Sequence, residues 1–284
     1  GMETALAVAA YKPKIRYQIV RPNLLKTDRA AFEKYLTQKG WKWSASPIPG
    51  AYRLEGAGDL GSDEGFFSGL FSIQGEGSML AALAVEAGYG MNILDACAAP
   101  GGKAALICEA MGGSGRVQAW EIHETRAKVL EAVKKRLKLD NLRVFARDAT
   151  IPRPECEEAF DAVLVDAPCS GLGVMHEKPD LKYRVTDEDV SSLCALQAQI
   201  LDACAPYVKP GGRLVYSTCT LFKAENEDQA AAFLARHPEF ERDTDTAWIP
   251  EPFRAHAKDG MLTLLPPRDG TEGFFIARLR RRPL

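Results

Sequence analysis

From residue 92 onward, short apolar runs and amphipathic stretches take turns, and that alternation restricts the chain more than any other feature. NILDACA (92–98), GRVQAWEI (115–122), NLRVFAR (141–147), FDAVLVDA (160–167) and GGRLVYSTC (211–219) read as short apolar strands. GKAALICEAM, ETRAKVLEAVKKRLKL and DEDVSSLCALQAQILDACAPYV between them read as helices, as does AENEDQAAAFLARH after the fifth strand. GMLTLLPP and GFFIARLRR close the chain as two more strands, an antiparallel edge pair. Such alternation predicts an α/β fold, a doubly wound and mostly parallel sheet with helices on both faces. Ligands on such a sheet bind at the carboxyl ends of the strands. That rule gathers the strand ends 95–103, 121, 148, 166–171 and 217–220 around one crevice.

A smaller unit precedes this pattern. KIRYQIV (14–20) reads as a strand, and TDRAAFEKYLTQKG (27–40) as a helix with Thr27 at its N-cap and Gly40 as its stop. Phe32, Tyr35 and Leu36 would form its apolar face. WKWSASPIPGAYRLEG suggests short strands broken by prolines, and GAGDLGSDEG (56–65) a loop leading to a domain boundary near residue 70. The expected organisation is therefore a small α+β module over residues 1–70 and a larger domain over 71–284.

The formal charge of -2 conceals an asymmetry. Residues 10–54 hold ten Lys or Arg against Asp28 and Glu33, a net of +8 that leaves -10 for the remainder. Tyr11, Tyr17, Phe32, Tyr35, Trp41, Trp43 and Tyr52 are threaded through that stretch. Basic side chains neutralise phosphates and aromatic faces stack on unpaired bases, so the module can be an RNA-binding surface. Equally, the aromatics can be the core of a small domain whose charges are solvated. Composition leaves both readings open.

With 284 residues, 46% of them hydrophobic and 26% charged, the chain has ordinary globular composition. It shows no apolar run near the roughly 18 residues of a membrane span and no signal-peptide pattern. Seven cysteines without a C-x-x-C pair read as reduced thiols of a cytoplasmic protein, and four scattered histidines make a metal site unexpected. Gly1 ahead of Met2 reads as the scar of a cleaved expression tag.

Chemistry concentrates at the strand ends. The first strand runs into Asp95-Ala96-Cys97-Ala98-Ala99-Pro100-Gly101-Gly102-Lys103, where small residues let the backbone approach a nucleotide-like ligand. Glu121 follows Gly101 by twenty residues, the spacing at which an acid takes ribose hydroxyls. Asp148 ends the third strand and suits an adenine amino group or a nearby backbone amide. Each acid alone reads as a cap or a solvated charge; as a set after a glycine turn they point to an adenosine-bearing cofactor. No G-x-x-x-x-G-K-[ST] supports an ATP loop. The fourth strand ends in Asp166-Ala167-Pro168-Cys169-Ser170-Gly171 and the fifth in Ser217-Thr218-Cys219-Thr220, which puts two thiols on the cofactor crevice. Cys108, Cys156, Cys194 and Cys204 fall in helices or a loop and read as packing, and Cys97 as packed under the turn.

A thiol there has a use. Carbon 5 of a pyrimidine is a poor nucleophile until a thiolate adds at carbon 6 and makes it enamine-like. Methyl transfer, loss of the carbon-5 proton and expulsion of the thiol then complete the exchange. An acid such as Asp166 can hydrogen-bond cytosine's amino group and ring nitrogen. These arguments do not choose between Cys169 and Cys219.

DACAAPGGK, DAPCSG and YSTCT, in this order and spacing, resemble the RNA cytosine-5 methyltransferases of the Nol/Nop/Sun type. RPNLLKTDRAAFEKYLTQKG, GLFSIQGEGSMLAA, KPDLKY and DGTEGFF extend the resemblance over about residues 14–280. It implies a Rossmann-like class I methyltransferase domain with a seven-stranded sheet, S-adenosylmethionine as cofactor, and RNA as substrate. The RNA would be 16S ribosomal RNA, with transfer RNA the alternative; a monomer without metal or membrane is expected. It further implies Cys219 as nucleophile, Cys169 in product release, and Asp166 and Lys103 on the target cytosine. Cys97, Ala98, Ala99, Pro100, Gly101, Gly102, Lys103, Glu121, Arg126, Asp148, Ala149 and Asp166 would hold the cofactor. A DNA cytosine-5 methyltransferase would instead use Cys169 and leave Cys219 without a role, and a non-catalytic RNA-binding relative would use neither. Two departures stand out. Bacterial ribosomal members carry a helical RNA-binding domain ahead of the small module, for which this chain has no room, so a truncated chain or a shorter relative is expected. His176-Glu177-Lys178 also stands where the family tends to be more basic.

Overall fold

A computed structural model describes residues 2–283. Strands β1 (Tyr17–Pro22), β2 (Lys42–Ala45), β3 (Tyr52–Glu55) and β4 (Phe71–Ile73) form a small antiparallel sheet in the order β2-β3-β1-β4. Its fourth strand lies just beyond residue 70, so the small sheet runs to residue 73. The helix Arg29–Gln38 packs on it through Phe32 and Leu36, closing a core with Val20, Tyr52, Leu54 and Phe71. Its N-cap is Asp28 rather than the expected Thr27: the Asp28 carboxylate accepts from the Ala31 amide at 2.8 Å. Both residue types cap helices, but a carboxylate also meets the positive end of the helix dipole.

The large sheet contains β5 (Asn92–Asp95), β6 (Arg116–Glu121), β7 (Leu142–Ala146), β8 (Phe160–Asp166), β9 (Val208–Thr218), β10 (Phe240–Arg242), β11 (Ala257–Lys258), β12 (Met261–Leu264) and β13 (Phe274–Arg281). Their order is β11-β12-β13-β9-β8-β5-β6-β7, with β10 also pairing β13. The five strands from β5 to β9 are mutually parallel, and β13 joins antiparallel to β9. The two closing strands are antiparallel partners as read, but β12 is not the edge, because two-residue β11 lies outside it. With β10 and β11 the sheet has nine strands where the apolar runs predicted seven. Strands of two and three residues are too short to leave a periodic signal.

Successive strand residues point to opposite faces, and this divides the core. Ile93, Ala162, Leu164 and Val215 meet the helices Glu76–Leu83, Gly102–Ala110 and Glu124–Leu137. Leu94, Val163, Val165, Leu214 and Tyr216 meet the helices Asp187–Cys204 and Glu227–Arg236. From β5 the chain winds outward through β6 and β7, then returns to place β8 and β9 on the other side. The order therefore reverses between β5 and β8, and a crevice opens there at the strands' carboxyl ends.

The small module is fastened beside that crevice by buried polar contacts. Arg21 pairs with Glu109, both almost fully buried, and donates from Nε to Gln74 Oε1 at 2.7 Å. Asn23 reaches the Leu137 carbonyl at 3.0 Å, and Arg136 returns a bond to the Phe71 carbonyl at 3.0 Å. Glu109 sits on the helix that opens at Gly102, so the module is tied to the element that shapes the turn. Among the described residues no helix is long and apolar enough to cross a membrane.

Candidate active site

The turn after β5 needs its glycine at one position. Gly101 has φ +113°, and a Cβ there would come within 2.9 Å of Leu130 Cδ2. A side chain is thus disfavoured by conformation and, on the side facing the helix that carries Leu130 and Val133, by space. The Ala99–Pro100 peptide is cis. A cavity of about 270 Å³ lies against this turn, and Cys97, Ala99 and Ala149 are in its wall. Glu121, Arg126 and Asp148 line the same cavity, with Asp166, Cys169 and Cys219 at its other end. A second cavity of about 220 Å³ takes in Ala98, Pro100, Gly102 and Lys103 and shares Cys97, Ala99 and Asp166 with the first. Of the residues singled out from the sequence, Gly101 alone lines neither; it shapes the turn from behind.

The acids at the strand ends are held differently. Glu121 is buried and accepts from the His123 amide at 3.0 Å, while Arg126 spans from its carboxylate (3.3 Å) to the Ala99 carbonyl (3.1 Å). Arg126 therefore braces the second strand end against the turn. Asp148 accepts from the amide and hydroxyl of Thr150 at 2.8 and 2.6 Å, closing a local turn while facing the cavity. Asp95 is fully buried behind the turn; burial, and then the neighbouring Asp166 charge, push its carboxyl up to about 7.

Cys169 and Cys219 face each other with their sulfurs 3.4 Å apart. One thiol donating to the other sets the pair's ionisation. Cys219 is held below the ordinary thiol range, chiefly by the hydrogen bond from Cys169 and further by the Lys103 ammonium, against burial and the Asp166 charge. The shared bond and burial push Cys169 well up. Lys103 Nζ lies 2.6 Å from Asp166 Oδ2; burial works against its charge, but Asp166 outweighs that and keeps the ammonium's affinity for its proton raised. Asp166 also accepts from Ser217 Oγ at 2.7 Å, which fixes the carboxylate between β8 and β9. The crevice thus holds one thiol prone to ionise, one that keeps its proton, and a fixed Lys–Asp pair beside them. Cys97 is pushed up by burial, as packing under the turn would require.

Behind the thiols lies a buried network that the sequence did not disclose. Glu225, fully buried, accepts from the Ser170 amide at 2.9 Å and its hydroxyl at 2.5 Å, and from Gln197 Nε2 at 3.1 Å. Gln197 also donates to the Pro168 carbonyl at 2.9 Å, and Ser170 Oγ meets Thr220 Oγ1 at 2.7 Å. Asn226 donates to the Thr220 carbonyl at 3.0 Å and pairs with the Thr218 hydroxyl at 2.5 Å. Glu225 and Asn226 therefore clamp the loops on both sides of the two cysteines. In the sequence they sit in AENED, at the start of a helical stretch, where nothing in the residue types marks them as buried. All seven cysteines are free, and no cluster suited to a metal occurs among the described residues.

Residues 82–280 match the family described as 16S rRNA methyltransferase RsmB/F. The chain belongs to that family. It is 40% identical over 268 residues to "Probable ribosomal RNA small subunit methyltransferase B" of Bacillus subtilis, covering 93% of this chain and 60% of that protein. RsmB/F relatives are thus longer, and this chain spans about three-fifths of their length. The crystal structure of PH0851 superposes with a TM-score of 0.89 at 30% identity, over 98% of this chain and 62% of that one. NSun6 of Pyrococcus horikoshii, solved with SFG, shares the fold at a TM-score of 0.85 and 23% identity, covering 99% and 95% of the two chains. An RsmB/F domain on a class I methyltransferase sheet is therefore what the strand–helix alternation encodes.

Proposed function

We propose that this RsmB/F domain methylates carbon 5 of a cytosine in small-subunit ribosomal RNA, using S-adenosylmethionine and a transient bond from Cys219. The observation that carries the reading is the pair of thiols 3.4 Å apart beside the Lys103–Asp166 pair. An amino-methylating enzyme, which transfers the methyl group directly to a nitrogen lone pair, has no use for two such thiols.

The first cavity fits the cofactor. Its turn presents only the small residues Ala96, Cys97 and Ala99, Glu121 and Asp148 offer acceptors to hydroxyl and amino groups, and Ile122, Leu196 and Ile200 supply apolar walls. When bound, S-adenosylmethionine supplies an electrophilic methyl group. The protein's own groups do the rest. Asp166 and Lys103 hold the cytosine by its amino group, ring nitrogen and carbonyl, so that the ring can accept electrons. Cys219 Sγ, as thiolate, adds to carbon 6, and the electron pair displaced from the 5,6 double bond makes carbon 5 nucleophilic. After carbon 5 has gained the methyl group it must lose its proton to a base, for which water entering the open crevice serves as the acceptor. The 5,6 double bond re-forms as the carbon–sulfur bond breaks, and Cys169, which keeps its proton, stands within hydrogen-bond reach of the departing sulfur. The target base must be unpaired or flipped, because carbons 5 and 6 are inaccessible within a stack.

Transfer of labelled methyl from S-adenosylmethionine to unmodified 16S ribosomal RNA and to transfer RNA, with base mapping, tests this reading. Label at carbon 5 of one 16S cytosine is expected. Label on transfer RNA alone would reassign the substrate, and label on an exocyclic nitrogen would refute the thiol mechanism.

A further inference from the structure

The aromatic residues of the basic segment divide into two groups. Phe32 and Tyr52 are buried in the small module's core, and Tyr35, Trp41 and Trp43 pack against it. Tyr11 and Tyr17 stay out of that core and instead line a cavity of about 330 Å³ between the module and the large domain. Tyr17 is 38% exposed. Its ring lies under the Arg53 guanidinium at 5.5 Å, and Glu76 fixes that guanidinium with two hydrogen bonds of 2.8 and 2.7 Å. Tyr11 meets the His176 ring edge-on at 5.8 Å.

Charge and position say what such a cavity can take. Arg16 and Arg53 are opposed by Glu76, Glu177 and Glu272, so the walls carry no positive excess to attract a phosphate. Glu272 is held into the cavity wall by the Gly77 amide at 3.0 Å, and Gly75 leaves room for it: a Cβ there would lie 2.1 Å from Glu272 Oε1. Aromatic faces with carboxyl acceptors suit a flat, uncharged ring bearing an amino or imino edge. Gly75 is also in the wall of the cavity that contains Lys103 and Asp166, so the two spaces adjoin.

We propose that this cavity is a subsite for one unpaired nucleobase neighbouring the target cytosine, stacked on Tyr17 or Tyr11 and read at its amino edge by Glu177 and Glu272. The subsite rests on the RNA methyltransferase reading given above and extends it to the substrate's sequence context.

The test uses the full chain with unmodified 16S ribosomal RNA. Tyr17→Ala and Tyr11→Ala are compared with Tyr17→Phe for methyl transfer, and for RNA affinity across a salt series. Loss of a base stack is expected to weaken RNA binding and raise the RNA KM about 5- to 150-fold. The KM for S-adenosylmethionine stays at the wild-type value, and Tyr17→Phe restores the RNA KM. The slope of log affinity against log salt is also unchanged, because no phosphate contact is lost. Should Tyr17→Ala fail to fold, Tyr17→Leu, which keeps apolar bulk and loses the aromatic face, takes its place. RNA KM values within twofold of wild type in both Ala variants would overturn the subsite. So would a salt slope reduced by about one unit, which marks a phosphate site. If the wild-type protein methylates no RNA, the underlying reading fails and the subsite falls with it; methylation that ignores both tyrosines sinks the subsite alone.

Discussion

Two cysteines in contact cannot both ionise easily, and the surroundings of Cys169 and Cys219 decide which one does. The hydrogen bond from Cys169, and to a lesser degree the Lys103 ammonium, favour a thiolate on Cys219, while Cys169 keeps its proton. Cys219→Ala is therefore expected to abolish both methyl transfer and capture of RNA, whereas Cys169→Ala adds to the base and accumulates a covalent protein–RNA species visible on denaturing gels. A Cys169→Ala protein that captures no RNA would reverse the two roles. The same geometry predicts a pH profile. Adduct formation needs the Cys219 thiolate, so its rate rises with pH, and the rise lies below the range of an ordinary thiol because that thiol's affinity for its proton is lowered. Lys103→Met removes a cation and leaves the Asp166 carboxylate uncompensated, and both changes favour the protonated thiol. The rising limb should then move to higher pH in single-turnover rates; a limb that stays in place would show that Lys103 does not act on the thiol. The cysteines and acids at these positions were legible in the sequence because residue type and strand-end placement suffice to find them. Which thiol ionises was not, since it depends on a contact made across 50 residues.

At the scale of elements, the loops that carry the thiols are held from behind by the short segment that follows β9. Glu225 and Asn226 take up the polar groups of Ser170, Gln197, Thr218 and Thr220, none of which meets solvent freely. Glu225→Ala would leave the Ser170 amide unpaired in a buried place, at a cost of about 1–3 kcal/mol, and would leave Gln197 only its bond to the Pro168 carbonyl. A lower denaturation midpoint and a slower adduct rate are expected together, with the cofactor KM little changed. The docking of the small module is similarly polar. Arg21→Ala leaves the Glu109 carboxylate buried without its partner, which typically costs about 3–5 kcal/mol, and thermal unfolding should report that loss. An Arg21→Ala protein as stable as wild type would mean the pair is dispensable to the interface. Helices and strands of ordinary length were readable from periodicity, and Gly40, with φ +68°, does end its helix region. The N-cap fell one residue later than read, at Asp28, because Thr27 and Asp28 are both cap formers and only the backbone geometry chooses. Arg21, Glu109 and Glu225 were not legible, since a buried charge looks like a solvated one until its partner, distant in sequence, is known.

For the whole molecule, the sheet order sets where everything else goes. The reversal between β5 and β8 creates the crevice, the small module sits against the helix that leaves it, and the chain's closing strands seal the far side of β9. The alternation of strands and helices made this architecture readable, while the division of labour within residues 10–54 was not: most of its aromatics became core, and two remained at the cavity between the domains. The measurement that bears most directly on the mechanism is capture of RNA containing 5-fluorocytidine in the presence of S-adenosylmethionine, followed by peptide mapping of the adduct. Fluorine at carbon 5 blocks the final proton loss, so the nucleophile stays attached. A methylated nucleotide bound to the peptide containing Cys219 is the predicted result. An adduct on the Cys169 peptide, or methyl transfer to cytosine with no adduct at all, would contradict it.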